Sequence, residues 1–224
     1  MKPAMKRVGL NRSVSLTNGG NPALNFINTQ RKDRKGGYVD LLTDYRSFLN
    51  WCLDTGLIDM DTWTELELEQ YCYAQMANDI YCQVKSARDC FNELFNYIAN
   101  GQKVHPTIIS RFNAWAELIR AQLTYRTGQN GLELYWRNST EEMNLPLWLV
   151  VSAAVRLIES PDIQKIRICP VCNSLFVDGS RRGNRVWCHV DTCGGARKSL
   201  KYFERKYVKN YSLKFQVIKN EQFN

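Results

Sequence analysis

The chain has 224 residues, 44% hydrophobic and 23% charged, a composition that builds a folded core and excludes both a disordered and a collagen-like polypeptide. Its longest apolar stretch, residues 145–155, is interrupted by Pro146 and Ser152 and falls far short of the roughly 20 residues a bilayer span requires, and no apolar run of signal-peptide length follows Lys2, Lys6 and Arg7, so a cytoplasmic protein is expected. The net charge of +8 is concentrated: residues 1–163 hold 17 basic and 18 acidic side chains, whereas residues 164–210 hold 11 and 3, which points to an anionic partner for one module.

Residues 1–20 are polar, with a short alternation at Val14 and Leu16 that suits a strand. Asn21 followed by Pro22 reads as an N-cap and first-turn proline, opening a short helix through Ala23, Leu24, Phe26 and Ile27. After a polar loop over residues 31–37, Thr43 caps a helix whose Tyr45, Phe48, Leu49 and Cys52 share a face, and Gly56 stops it. Asp61 caps a further helix through Trp63, Leu66 and Tyr71, and residues 79–99 keep the helical period to Gly101. The period then changes to two: Leu123 and Tyr125, a turn over 126–131, then Leu132, Leu134 and Trp136 predict a β-hairpin. An apolar helix runs from Pro146 to Ser160, and Ser160-Pro161-Asp162 breaks it. The expected class is α+β. A mostly helical N-terminal domain (1–160) with a small hairpin precedes a small treble-clef-like or ribbon-like cysteine-containing module (164–210) ending in a helix, then a tail (211–224).

The eight cysteines divide into two sets. Cys52, Cys72, Cys82 and Cys90 fit no metal template, lie in helical patterns beside apolar residues, and read as small buried hydrophobes. Cys169, Cys172, Cys188 and Cys193 form two close-set pairs with 15 residues between them. Thiolates two to four residues apart reach one ion from a tight turn, and two such turns complete a tetrahedral zinc shell. The surrounding residues offer few large apolar side chains, so metal would supply folding free energy, on the order of 10–16 kcal/mol in peptide-sized sites. Zinc, one ion per chain and structural, is favoured over iron–sulfur ligation, disulfides or incidental thiols. His189 reads as a surface imidazole or a neighbour of the shell, not a ligand.

Between the pairs, residues 174–178 read as a strand and 179–185 as a loop carrying Arg181, Arg182 and Arg185. Thr192 can cap a helix that begins near Cys193, buries Leu200, Phe203 and Tyr207, and carries Arg197, Lys198, Lys201, Arg205 and Lys209 on its other faces. An arginine loop and a cationic helix joined by metal suit a phosphate backbone. Arg181, Arg182, Arg185, Lys198, Lys201 and Arg205 are the expected phosphate contacts, and Arg197 the residue placed to reach a base. An RNA, or an acidic protein docked by an adaptor, would satisfy the same charge.

In the first domain Asn25, Asn28, Thr29 and Arg31 either line a small-ligand pocket or cap the end of their short helix. Arg88 pairs with an anion or with Glu93 or Asp89. No nucleophile with a nearby base, phosphate loop or His-carboxylate cluster is legible, so enzyme activity is not expected.

At the second cysteine set the chain resembles the bacterial CGNR zinc-finger family, through Cys169-Pro-Val-Cys172, Leu175-Phe-Val-Asp178, Ser180-Arg-Arg-Gly-Asn-Arg185, Trp187-Cys188 and Cys193-Gly194. The family's Asn and Arg after Cys-Gly are Gly195 and Ala196 here, so the contact of that arginine is lost or passes to Arg197. Residues 24–29, Leu41-Leu42, Trp51 and Gly56-Leu57 resemble the ABATE domain that precedes this finger, although the family's Asp is Asn25 here. The resemblance implies a stress-induced transcription regulator whose first domain senses a small effector. Joined to the cationic finger, this gives the expectation of a DNA-binding regulator whose first domain senses that effector or pairs with a second copy.

Overall fold

The computed structural model describes residues 19–32, 37–128, 131–136, 142–195, 198–199 and 202. The strand read at Val14–Leu16, the residues Arg197, Leu200, Lys201, Phe203, Arg205, Tyr207 and Lys209, and the tail lie outside them. Among the described residues no helix is long and apolar enough to cross a membrane.

Helix α1 (Pro22–Ile27) begins as read, its Asn21 side chain accepting from the Ala23 amide at 2.9 Å. Strands β1 (Gln30–Lys32) and β2 (Tyr38–Asp40) pair antiparallel behind it, Gln30 opposite Asp40. The next two helices start one or two residues away from the caps read in the sequence. Helix α2 (Tyr45–Asp54) is capped by Asp44, not Thr43, because Asp44 is the extended residue whose carboxylate accepts from the Ser47 amide while Ser47 Oγ accepts from the Asp44 amide. Helix α3 (Met60–Cys72) is capped by Asp59, not Asp61, which falls in the first turn and complements the helix dipole there.

Tyr73, at φ −125° and ψ 53°, separates α3 from α4 (Ala74–Ala99), the 26-residue helix that forms the spine of the molecule. Tyr71 and Cys72 at this junction, and Cys82 on α4, are exposed, so of the first four cysteines only Cys52 and Cys90 are the buried hydrophobes expected. Helix α5 (Pro106–Gln122) packs on α4 and runs into the hairpin of β3 (Leu123–Gly128) and β4 (Gly131–Trp136). The ladder extends to Gly128 opposite Gly131, so much of the stretch read as a turn is strand. Trp136 stacks on Trp148 of α6 (Leu145–Glu159), with ring centroids 6.0 Å apart.

Helix α6 packs against α1, α4 and α5, which explains its apolar sequence on nearly every face. The core between α1, α2 and α4 is aromatic: Phe26 lies 5.9 Å from Phe48, 5.8 Å from Trp51 and 6.4 Å from Phe91. Such pairs contribute about 0.5–1.5 kcal/mol each beyond their burial.

After a 3-10 turn (Pro161–Lys165) come β5 (Ile166–Ile168) and β6 (Leu175–Val177), antiparallel with Ile166 opposite Val177. The alternation along this hairpin divides its side chains between two cores. Ile166, Ile168, Leu175 and Val177 join the helical core, while Phe176 faces the cysteines with Val171 and Trp187. Packing therefore continues across the break at 160–162.

Candidate metal centre and its cationic rim

Cys169 and Cys172 sit on the turn between β5 and β6. The Asn173 amide donates to Cys169 O at 2.8 Å and the Cys169 amide to Ser174 O at 2.9 Å, a closure that requires φ +58° at Asn173. Asparagine is among the few residues that tolerate this left-handed conformation. The second pair comes from the other side: Cys188 follows the arginine loop, and Cys193 lies in a π-helical turn (Val190–Gly194), where its amide donates to His189 O. Beyond that turn Gly195, Lys198, Ser199 and Tyr202 are helical, which places the start of the expected helix.

The four sulfurs are buried and lie within 4.8 Å of one another, with Cys172 3.5 Å from Cys188 and Cys188 3.7 Å from Cys193. Zinc–sulfur bonds of about 2.3 Å place the corners of a tetrahedron about 3.8 Å apart, so the cluster matches one ion. All four are free thiols, separated by far more than a disulfide bond, and an iron–sulfur cluster would interpose several metal atoms and spread them further. His189 contributes no atom to the group.

Without a cation these sulfurs compete for protons. Thiol hydrogen bonds from Cys172 and Cys188 hold Cys169 well below the ordinary thiol range, and donating to Cys169 drives Cys188 far above it. Burial, reinforced by the neighbouring sulfurs, pushes Cys193 up to about 11. A divalent cation removes the conflict by replacing the protons on all four sulfurs, which leaves the site with a net charge of −2. The donor set therefore fits zinc: the four cysteines form a zinc-binding site, and four thiolates leave no position for a water molecule.

The rim is organised by Asp178. Its carboxylate accepts from the Ser180 amide at 3.0 Å, Ser180 Oγ at 2.6 Å and the Arg185 amide at 2.9 Å, closing residues 178–185 into a compact loop. The Ser180 hydroxyl and then the backbone amides hold this carboxyl below the usual range. Gly183, at φ +60°, donates to Ser180 O and completes the turn in a conformation that favours glycine.

The three loop arginines have different situations. Arg181 and Arg182 are exposed, with no partner among the described residues. Arg185 is half-buried: its Nε donates to Trp187 O at 2.8 Å, its Nη2 donates to Cys188 O, and its guanidinium lies 4.9 Å from the centre of the Phe176 ring. It braces the second cysteine pair. Lys198 is exposed, while Arg197, Lys201 and Arg205 lie outside the described residues. The roles of Asp178 and Arg185 escaped the sequence reading, although an acidic residue just before a glycine-rich loop is a signal for an Asx turn.

The polar residues of α1 are engaged in joining the two cores. Asn25 Oδ1 accepts from the Gly19 amide at 2.8 Å, and the Gly19 carbonyl accepts from the Val177 amide at 2.9 Å. A Cβ on Gly19 would lie 2.8 Å from Leu24 Cβ, so this crossing requires glycine. The Asn28 amide group donates to Leu175 O at 2.8 Å and accepts from Leu175 N at 2.9 Å, acting as an extra strand residue on the outer edge of β6. Thr29 donates to Phe26 O and accepts from Arg88, and Arg31 is half-buried in β1, opposite Val39. Arg88 pairs with neither Glu93 nor Asp89. Its guanidinium forms a two-point pair with Asp40 at 2.7 and 2.6 Å, while Glu93 pairs with Arg111.

Residues 20–161 match the ABATE family, described as "Putative stress-induced transcription regulator", and residues 165–206 match the family described as "CGNR zinc finger". No curated protein matches the chain.

Proposed function

We propose that this chain, which belongs to the ABATE family and carries a CGNR zinc finger, is a transcription regulator that binds duplex DNA through the cationic rim of its zinc centre. The observation that carries this reading is the exposure of Arg181 and Arg182 on a loop held in shape by Asp178, and of Lys198 on the helical segment that follows the fourth cysteine of the metal site. Guanidinium groups displayed on a rigid frame contact phosphates with little ordering cost, and they belong to a stretch, residues 164–210, whose net positive charge stands beside a nearly neutral remainder. The closed four-thiolate shell supports a binding protein in which the metal does no chemistry.

In the same reading the helical unit senses a small effector or pairs with a second copy, and the hydrogen bonds of Asn28 and Gly19 to β6 join it directly to the finger. A panel of metabolites that raises the melting temperature would identify the effector by linkage.

The test is fluorescence anisotropy of the zinc-loaded chain with random-sequence duplexes at 50 and 200 mM salt. With Arg185 turned inward, the five remaining contacts, Arg181, Arg182, Lys198, Lys201 and Arg205, predict a log–log slope near −4.5, so affinity falls on the order of 10²–10³-fold across that interval. No duplex binding at the lower salt overturns the reading in favour of an acidic protein partner, and preference for single-stranded RNA overturns it in favour of RNA.

A further inference from the structure

On the side of the loop that faces the 3-10 turn, Lys165, Arg167, Asp178, Ser180 and Arg181 line a polar cleft of about 330 Å³. This is near the lower end of the size range for ligand sites, about 300–1,000 Å³, but the lining is ionic where most small-molecule pockets are apolar. Its three cations come from three different segments. Lys165 ends the 3-10 turn, Arg167 projects from β5, and Arg181 stands on the loop. The wall between them is regular ladder, since the Asp178 amide donates to Lys165 O at 2.9 Å and continues the β5–β6 pairing by one residue.

The cations are only partly neutralised in place. Arg167 is fixed by donating Nη1 to the carbonyls of Gln164 and Ile166, at 2.9 and 3.0 Å, which leaves Nε and Nη2 without a partner among the described residues. Lys165 pairs with Asp162 at 2.8 Å, but both side chains are about half exposed, and a surface pair of that kind exchanges readily for a stronger anion. Asp178 is the opposing charge within the cleft, buried and already accepting from three donors, two from Ser180 and one from Arg185. The lining thus keeps a net positive charge even with Asp162 counted.

We propose that this cleft is an oxyanion site for a phosphate group, with Lys165, Arg167 and Arg181 as its donors, and that one backbone phosphate fills it in the DNA-bound protein. The nucleic-acid face then extends to residues on the N-terminal side of the first cysteine. Fixed donors in a concave site set the register of the finger on a duplex, as phosphate contacts do in general. The second half of the proposal rests on the DNA-binding reading; the cleft itself does not.

The experiment has two arms on the full-length zinc-loaded chain, comparing wild type, a Lys165→Gln/Arg167→Gln variant, Arg181→Gln alone, and Lys103→Gln as a remote control, with zinc content and melting temperature measured for each. In the first arm inorganic phosphate is titrated against chloride at equal ionic strength, and amide resonances are followed by NMR. Saturable shifts at Gly179, Ser180 and Gly183 in wild type and Lys103→Gln, lost in the double variant and weakened in Arg181→Gln, uphold the cleft. Shifts that do not saturate, or persist in the double variant, overturn it. Should the double variant fail to fold, the comparison of Arg181→Gln with wild type decides by the same criterion. In the second arm, duplex binding by the double variant is expected to weaken about tenfold at low salt, with a salt slope shallower by about 0.9, the value of one phosphate. An unchanged slope overturns the seating of a backbone phosphate. Phosphate shifts in a wild-type chain that binds no duplex would uphold the cleft and overturn the DNA-binding reading.

Discussion

Asn28→Ala tests whether the zinc hairpin is held by the helical unit as the geometry indicates. The substitution removes two hydrogen bonds, 2.8 and 2.9 Å long, and leaves the amide and carbonyl of Leu175 without partners on a residue only 1% exposed. Each orphaned buried group costs about 1–3 kcal/mol. Asn28 itself is half-buried, so water reaches part of the gap, and the expected loss is about 2–4 kcal/mol. At about 2–4 °C per kcal/mol for a chain of this size, the melting temperature falls by about 5–15 °C. Asn28→Asp keeps an acceptor for Leu175 N but sets a carboxylate oxygen against Leu175 O, so it is also destabilising. Thermal unfolding of the zinc-loaded protein, followed together by far-ultraviolet circular dichroism and by release of zinc to a chromogenic chelator, reads both sides of the joint. In wild type the two signals are expected to move in one transition. A loss below about 0.5 kcal/mol in Asn28→Ala, or wild-type zinc release far below helix melting, would refute the coupling.

Arg185→Ala is expected to shorten zinc retention and destabilise the finger by about 2 kcal/mol, because charged hydrogen bonds to the Trp187 and Cys188 carbonyls are lost. Arg182→Ala should keep wild-type zinc and weaken DNA binding alone; the reverse pattern in chelator and anisotropy assays would contradict these assignments. Arg88→Ala leaves the Asp40 carboxylate, 29% exposed, without its partner and is expected to cost about 3 kcal/mol by urea denaturation, with no full rescue by Arg88→Lys, which lacks the two-point geometry. Zinc affinity should rise with pH: Cys188 and Cys193 titrate above the ordinary thiol range, so the ion must displace their protons at neutral pH, and each displaced proton weakens binding up to tenfold per unit of acidification. Chelator competition at pH 6 and pH 8 that returns the same affinity would sink that account.

What was legible in the sequence was local. The spacing of Cys169, Cys172, Cys188 and Cys193 announces a metal site because each ligand pair closes on itself within a few residues, and Asn21-Pro22 announces α1 because capping is decided within one turn. The helical periods and the alternation of β3 and β4 likewise report which face of an element is apolar. They do not report which partner that face meets. Asn28 and Leu175 are 147 positions apart, and Arg88 lies 48 from Asp40 and 59 from Thr29. Such pairings are settled only when α1 is wedged between α4, α6 and β6, and burial there forces each polar group to find the nearest available donor or acceptor. The same cause divided the arginines of the finger. As letters Arg181, Arg182 and Arg185 are equivalent, and only the closure of the loop around Asp178 turned the last of them inward to the Trp187 and Cys188 carbonyls and brought Lys165 and Arg167 beside the first.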